Sequence, residues 1–323
     1  MTLEFIYLVA GLVLILMGAN WLVDGASSIA KKTGMSEFII GLTIVGIGTS
    51  TPEIVVSLIS SIQGKADMAI GNVVGSNIFN TMLILGVTAL IFPLAITKES
   101  LKRDLPLNII VTALLILLGL KHTIFGVGTD TLTRLDGIIM LFILALYFRK
   151  LLKKPSGTAL EETPEDESEI KVLSTGKSIL LIILGLGGLV FGGRLFVNAA
   201  TEIASSLGMS AKLIGLTIMA IGTSLPELAT SIVAALKGRG DMAMGNVLGS
   251  NIFNILLILG GCAVIQPMSF ASMTPIDLGA VMIAAIFMFT SAYTFKSYKL
   301  DRFEAAILLC LFASYMTYTI MNA

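Results

Sequence analysis

The chain has 323 residues, of which 55% are hydrophobic and only 13% are charged, and its mean hydropathy is +0.94. A water-soluble domain of this length does not carry so many apolar residues, so the composition indicates an integral membrane protein. The formal net charge is zero, and no basic cluster suggests a nucleic-acid partner.

Apolar runs recur along the whole chain and are separated by short charged connections. Runs of about 18 to 25 residues can cross roughly 30 Å of hydrocarbon as helices. The pattern predicts an all-α membrane protein with the lipid bilayer as its partner. The ten predicted transmembrane helices lie at about 4–24, 37–62, 68–93, 105–120, 132–149, 178–200, 211–236, 242–267, 275–295 and 303–321.

Lysine and arginine are divided unevenly between the two sides of these predicted helices. Of the 21 basic residues, Arg194 lies within a span and 16 fall in connections on one side. The other side holds only Lys65, Lys121, Arg134 and Lys212. Because cytoplasmic connections carry the excess of Lys and Arg, we expect both termini to be extracytoplasmic in a multi-pass cell membrane protein.

The chain contains one long stretch twice. Residues 41–86 and 215–260 align without a gap at an offset of 174 and share 28 identities in 46 positions. Each half then holds five spans, and since five is odd, the second half enters the membrane from the opposite face. The prediction is two inverted five-helix repeats, 1–151 and 175–323, with a substrate site at the midplane where they meet.

The segment between the repeats, 152–174, has six acidic residues among Pro, Ser, Thr and Gly. It is predicted to be a solvated cytoplasmic linker. A regulatory cation site is the alternative, but the segment lacks the alternating ligands and the turn glycine of a calcium loop.

The most polar residues of the repeated stretch lie in the motif GTSTPE at 48–53. Thr49, Ser50 and Glu53 share one side of a helix, and Pro52 has no N–H for the carbonyl of Gly48. A carboxylate, hydroxyls and freed carbonyls at one level suit a hard cation such as Ca²⁺ or Na⁺. The second copy supplies the same set from Thr223, Ser224 and Glu227.

The next span of each copy adds the motif GNVxGSNIFN. Ser76 and Asn80, four apart, are expected to point at the facing glutamate, and Ser250 and Asn254 repeat them. The glycines of this motif form a small-xxx-small pair that permits close backbone approach. The acids that precede each motif, Asp67 and Asp241, are predicted to be helix N-caps rather than ligands.

A buried glutamate can also be protonated or hydrogen-bond neighbouring helices. Two glutamates with identical flanking residues in inverted copies favour a mobile cation as the countercharge, because no lysine lies within either motif.

GTSTPE with GNVVGSNIFN, and GTSLPE with GNVLGSNIFN, resemble the two α-repeats of the calcium/cation antiporter superfamily, in particular the prokaryotic type of sodium/calcium exchanger. The likeness covers essentially the whole chain. It implies exchange of several Na⁺ for one Ca²⁺ by alternating access, normally Ca²⁺ export driven by Na⁺ entry, with no cofactor and no obligatory protein partner.

The resemblance also implies a set of ion ligands. Asn254 is neutral where potassium-dependent members carry an acid, which argues against K⁺ cotransport. The implied side-chain ligands are Glu53, Glu227, Thr49, Ser50, Ser76, Thr223, Ser224, Ser250, Asn80 and Asn254, and the implied backbone ligands are the carbonyls of Gly46 and Ala220.

Two other functions compete with this one. Paired glutamates can carry protons, so a Ca²⁺/H⁺ antiporter is the alternative transporter. An intramembrane hydrolase using Ser50 or Ser224 is the enzymatic alternative, and it is disfavoured because no histidine or lysine in either motif supplies a base. The sequence therefore predicts a transporter and not an enzyme.

Overall fold

The computed structural model describes residues 2–151, 172–209, 220–271, 273–294 and 298–322. In this part of the chain the main helices group into ten membrane helices, α1–α10, and a short helix, Lys121–Phe125, follows α4. The bounds are α1 (Thr2–Thr33), α2 (Glu37–Ile40, π-helical Gly41–Val45, Gly46–Thr49 and Thr51–Ile62), α3 (Ala66–Ile78, π-helical Phe79–Ile84 and Leu85–Ile91), α4 (π-helical Ser100–Asp104 and Leu105–Gly119), α5 (Arg134–Leu151), α6 (Thr175–Ser206), α7 (Ala220–Thr223 and Leu225–Leu236), α8 (Gly240–Phe253, π-helical Asn254–Leu259 and Gly260–Ile265), α9 (Pro275–Thr290) and α10 (Arg302–Asn322).

The helices differ in how far they are enclosed. Among the described helices, α1, α3, α6, α8 and α10 are each long and apolar enough to cross a bilayer, and α2 is a sixth when its two parts are taken as one span. In the most apolar stretch of α3 and α8, 72% and 78% of the residues are buried, against 33% in α1 and 22% in α6. The helices that carry the repeated motifs are therefore central, and α1 and α6 are peripheral.

Two short β-ribbons tie together connections that are distant in sequence. Strand β1 (Leu94–Ala95), between α3 and α4, pairs antiparallel with β4 (Lys299–Leu300), between α9 and α10. Strand β2 (Thr131–Leu132), between α4 and α5, pairs with β3 (Met268–Ser269), between α8 and α9. Each membrane helix carries the chain to the other end of the bundle. Six such helices lie between β1 and β4 and four lie between β2 and β3, so the strands of each pair are at the same end. One membrane helix, α4, lies between β1 and β2, so the two ribbons are at opposite ends, as two inverted five-helix repeats require.

The first helices of the two repeats, α1 and α6, pack against each other through glycines. Gly11, Gly18 and Gly25 of α1 are seven residues apart. A Cβ on each would lie 2.7 Å from a backbone atom of α6, at Phe196, Gly185 and Ser178 respectively. The α6 numbers fall as the α1 numbers rise, so the two helices are antiparallel with their backbones in direct contact.

Both peripheral helices are longer than the sequence predicts. Helix α1 ends at Thr33 instead of about residue 24, and α6 ends at Ser206 instead of about residue 200. Asp24, where the predicted span ends, lies inside α1, and Lys237 Nζ lies 2.7 Å from its Oδ1. At the start of α6, the side chain of Ser174 accepts a hydrogen bond from the Lys177 N–H as an N-cap.

Candidate cation-binding site

Helices α2 and α7 break at equivalent serines in the centre of the protein. Ser50 has φ −76° and ψ 7°, Ser224 has φ −91° and ψ 5°, and the axis of α2 bends by 47° at its break. Pro52, in the first turn after the break, needs no N–H partner there. The sequence predicted a free Gly48 carbonyl, and this prediction is wrong. Thr51 Oγ1 donates a hydrogen bond to that carbonyl oxygen at 2.7 Å. A hydroxyl thus replaces the N–H that proline lacks.

The two glutamates that follow these breaks are buried together. Glu53 and Glu227 are each only 1% exposed. Ser50 Oγ donates across the repeat interface to Glu227 Oε1 at 3.0 Å, and Ser224 Oγ donates to Glu53 Oε1 at 3.4 Å. Ser76 Oγ, from α3, also donates to Glu53 Oε1, at 3.4 Å. Each repeat therefore provides the hydroxyl that contacts the other repeat's carboxylate.

Several oxygens of the predicted ligands are buried without a hydrogen-bond donor. They are Glu53 Oε2, Glu227 Oε2, Asn80 Oδ1 and Asn254 Oδ1. Within the described residues, no ion pair includes either glutamate, and no cluster of three or more His, Cys, Asp or Glu side chains occurs. Acceptors without donors are costly in a buried site, so this group of carboxylate and amide oxygens matches the ligand preference of a hard cation.

Two asparagines that the sequence analysis did not single out hydrogen-bond to the backbone of the two glutamates. Asn246 Nδ2 donates to the Glu227 carbonyl oxygen at 3.4 Å and to Ser231 Oγ at 2.9 Å, and its Oδ1 accepts from Thr49 Oγ1 at 3.1 Å. The matching contacts of the other repeat are Asn72 Nδ2 to the Glu53 carbonyl oxygen at 3.4 Å and to Ser57 Oγ at 3.0 Å. The sequence signal that could have found them is that the same residue, asparagine, occupies both positions at the offset of 174.

Of the remaining predicted ligands, Gly46 and Ser250 contact each other across the repeats. The Gly46 carbonyl oxygen accepts from the Ser50 N–H at 3.2 Å and from Ser250 Oγ at 3.3 Å. Thr223 is half-buried, unlike its buried counterpart in α2. Ala220 begins α7 directly after residues 210–219, which lie outside the described part of the chain. The predicted side chains that hydrogen-bond to the glutamates in the described residues are thus Ser50, Ser76 and Ser224.

The second copy of the GNVxGSNIFN motif packs directly against α2. In the contact between α2 and α8, a Cβ on Gly249 would overlap the carbonyl oxygen of Leu42, so only glycine permits this approach. The close approach predicted for the second copy is therefore present. For the repeat-related Gly75, the counterpart of Leu42 at the offset of 174 is residue 216, which lies outside the described part of the chain.

The N-cap prediction for the two aspartates is wrong. The residues before the first turn of α3 and α8 are Lys65 and Arg239, and neither makes a side-chain capping bond. Asp67 and Asp241 are the second residues of their helices, two positions after these N-caps. A carboxylate in the first turn still interacts favourably with the helix dipole, which accounts for an acid at this position.

The chain is similar to known proteins over nearly its whole length. The family model described as sodium/calcium exchanger protein matches residues 3–150 and 177–321. A putative antiporter of Alkalimonas amylolytica is 41% identical over 320 residues, which cover 98% of each chain. The sodium/calcium exchanger MaX1 of Methanosarcina acetivorans is 34% identical over 348 aligned positions, again covering 98% of each chain.

A solved structure also resembles the fold. The sodium-calcium exchanger NCX_Mj, soaked with 2.5 mM Na⁺ and 0.1 mM Ca²⁺, superposes with a TM-score of 0.82 at 31% sequence identity, and the match covers 98% of each chain. A Ca²⁺/H⁺ antiporter of Aphanothece halophytica is a more distant relative, 24% identical over 294 residues, with 81% of this chain and 78% of that protein covered.

Proposed function

Because the chain belongs to the sodium/calcium exchanger family, whose relatives are membrane transporters, we propose that it exchanges Na⁺ for Ca²⁺ by alternating access and that Na⁺ entry down its gradient drives Ca²⁺ export. The observation that carries this proposal is the group of buried acceptor oxygens without donors at the junction of the two repeats. Two of them belong to carboxylates, so one Ca²⁺ would neutralise the site.

The proposed ligand set is the one expected from the sequence. The glutamates supply charge, and neutral oxygens complete the coordination. The proposed ligands are Glu53, Glu227, Thr49, Ser50, Ser76, Asn80, Thr223, Ser224, Ser250 and Asn254, with the carbonyl oxygens of Gly46 and Ala220.

Charge explains why such a site exchanges its ions instead of carrying them together. Na⁺ ions that occupy the same oxygens must displace Ca²⁺, so the two cargoes compete. An empty site would hold two uncompensated carboxylates in a medium of low dielectric constant, which opposes the return of the unloaded transporter. The two repeats, 1–151 and 175–323, would form the two sides of this site, with 152–174 as a cytoplasmic linker.

Proton coupling is the competing mechanism, because two buried carboxylates can also titrate. The test is ⁴⁵Ca²⁺ uptake into proteoliposomes of the purified protein, either preloaded with Na⁺ or given a pH gradient without Na⁺. The proposal predicts uptake only when Na⁺ is inside. Uptake driven by the pH gradient alone would make the protein a Ca²⁺/H⁺ antiporter.

The neutral side chain at Asn254 is expected to set the cation preference. Asn254→Asp adds a third carboxylate to a site that otherwise has two, and the added charge favours binding of an extra cation. We expect the variant to change the inhibition of ⁴⁵Ca²⁺ uptake by Na⁺ and K⁺ more than it changes the maximal rate. Unaltered inhibition curves would remove position 254 from the determinants of selectivity.

The proposed orientation places both termini outside, and the ends of α5 test it. Thr129, before this helix, and Lys150, near its end, are both exposed. In a background without Cys262 and Cys310, an impermeant maleimide added to intact cells should label Thr129→Cys and spare Lys150→Cys. The reverse labelling pattern would invert the topology.

A further inference from the structure

An asparagine of α3 forms a hydrogen-bonded bridge between the two repeats beside the site. Asn77 is 2% exposed, and its Nδ2 donates to the backbone carbonyl oxygen of Asn251 in α8 at 3.1 Å. Its Oδ1 accepts from Asn254 Nδ2 at 3.0 Å. Asn254 Oδ1, at the other end of this bridge, has no donor.

The direction of this bridge is fixed by its first member. A backbone carbonyl can only accept, so the NH₂ of Asn77 must face Asn251 and its oxygen must face Asn254. That oxygen in turn can only accept, so Asn254 must turn its NH₂ toward Asn77. We propose that Asn77 is a positioning residue that fixes the amide orientation of Asn254, so that Asn254 presents an oxygen and not an NH₂ group to the cation.

The repeat-related amide is engaged differently. Asn251 Nδ2 donates to Thr81 Oγ1 at 2.8 Å, and the position equivalent to Thr81 in the second repeat is Ile255. The two-fold relation between the repeats is therefore broken at this point. Asn77 accepts a hydrogen bond from the Asn254 amide, whereas the side chain of Asn251 donates to a hydroxyl.

The consequence for binding is that one neutral ligand is oriented before the cation arrives. A free amide loses rotational freedom when it coordinates an ion, or it presents its NH₂ group, which repels a cation. A pre-oriented amide avoids both costs. This inference rests on the proposed function, since it takes the cation site at the repeat junction as given.

A double-mutant cycle between Asn77 and Asn254 tests the proposal. Asn77→Leu keeps the volume of the side chain and removes both hydrogen bonds. We expect it to raise the KM for Ca²⁺ in Na⁺-dependent uptake roughly tenfold, as for the loss of one orienting hydrogen bond to a charged site. In Asn254→Leu, adding Asn77→Leu should raise KM no further, because the proposed effect of Asn77 on the cation passes through the Asn254 amide.

The matched control is Asn251→Leu, which removes the repeat-related amide and keeps the backbone carbonyl that anchors Asn77. Its KM for Ca²⁺ should stay within about twofold of the wild type, which is less than 0.5 kcal/mol. If Asn77→Leu does not fold, Asn77→Ala replaces it, since the smaller side chain leaves room for a water to satisfy the Asn251 carbonyl.

Increases in KM that add in the double variant, or an unchanged KM in Asn77→Leu or Asn77→Ala, would overturn the positioning role. Calorimetric titration of Ca²⁺ into each variant in Na⁺-free buffer tests the role of Asn77 separately from the proposed exchange of Na⁺ for Ca²⁺. Wild-type protein that binds Ca²⁺ without Na⁺-dependent uptake would contradict the proposed exchange while the binding cycle still tests Asn77.

Discussion

Glu53→Gln and Glu227→Gln are each expected to abolish Na⁺-dependent Ca²⁺ uptake while the protein remains folded. Glutamine keeps the Oε1 acceptor that contacts the serine hydroxyls and loses one of the two charges. At about 4 Å and an effective dielectric constant near 20, one charge pair is worth about 4 kcal/mol, or roughly a thousandfold in affinity. Uptake of ⁴⁵Ca²⁺ per folded transporter, with folding checked by size-exclusion chromatography, measures the effect.

Glu304→Gln is the control for the loss of a buried glutamate. Glu304 is also 1% exposed, but Thr294 Oγ1 and the Asp301 N–H each donate to one of its carboxylate oxygens, so it has no oxygen free for an ion. We expect this variant to retain uptake. Full transport in Glu53→Gln or Glu227→Gln would exclude that glutamate from the mechanism.

Gly249→Ala is expected to prevent correct assembly of the centre. The added Cβ overlaps the Leu42 carbonyl oxygen, and backbone atoms of two packed helices cannot move aside as a flexible side chain can. Overpacking of this kind costs about 3 kcal/mol or more when α2 and α8 must separate. We expect a lower melting temperature in detergent, measured by thermal unfolding, and loss of uptake.

The control glycine lies twelve residues further along α8. No described atom comes within 4 Å of a Cβ placed on Gly261, so Gly261→Ala should leave both the melting temperature and uptake unchanged. A Gly249→Ala protein with wild-type stability and transport would mean that the direct contact of α2 with α8 is not needed.

The inverted fold and the central glutamates could be predicted because both depend on local sequence. An odd number of apolar spans per repeat forces inversion whatever the packing. Helical spacing predicts one shared face for Thr49, Ser50 and Glu53, but α2 bends by 47° at Ser50, and Ser50 contacts the glutamate of the other repeat. The ion ligands themselves remain a proposal.

The parts that could not be predicted depend on contacts between distant segments. Asp24 lies inside α1, and the residue that pairs with its charge, Lys237, is 213 residues away. The orientation of Asn77 follows from a backbone carbonyl in the other repeat, which no local pattern indicates. The carbonyl of Gly48 was expected to be free because proline removes an N–H, and the nearby Thr51 hydroxyl took its place.

Competition between the two ions for one site is the most direct test of the account. Equilibrium binding of ⁴⁵Ca²⁺ to the purified protein should be measured in choline chloride and then with increasing NaCl at constant ionic strength. The account predicts that Na⁺ displaces bound Ca²⁺ completely, and that Glu53→Gln and Glu227→Gln bind Ca²⁺ roughly a thousandfold more weakly than the wild type. Ca²⁺ that stays bound at saturating Na⁺, or that binds both glutamine variants normally, would contradict a shared site at the two glutamates.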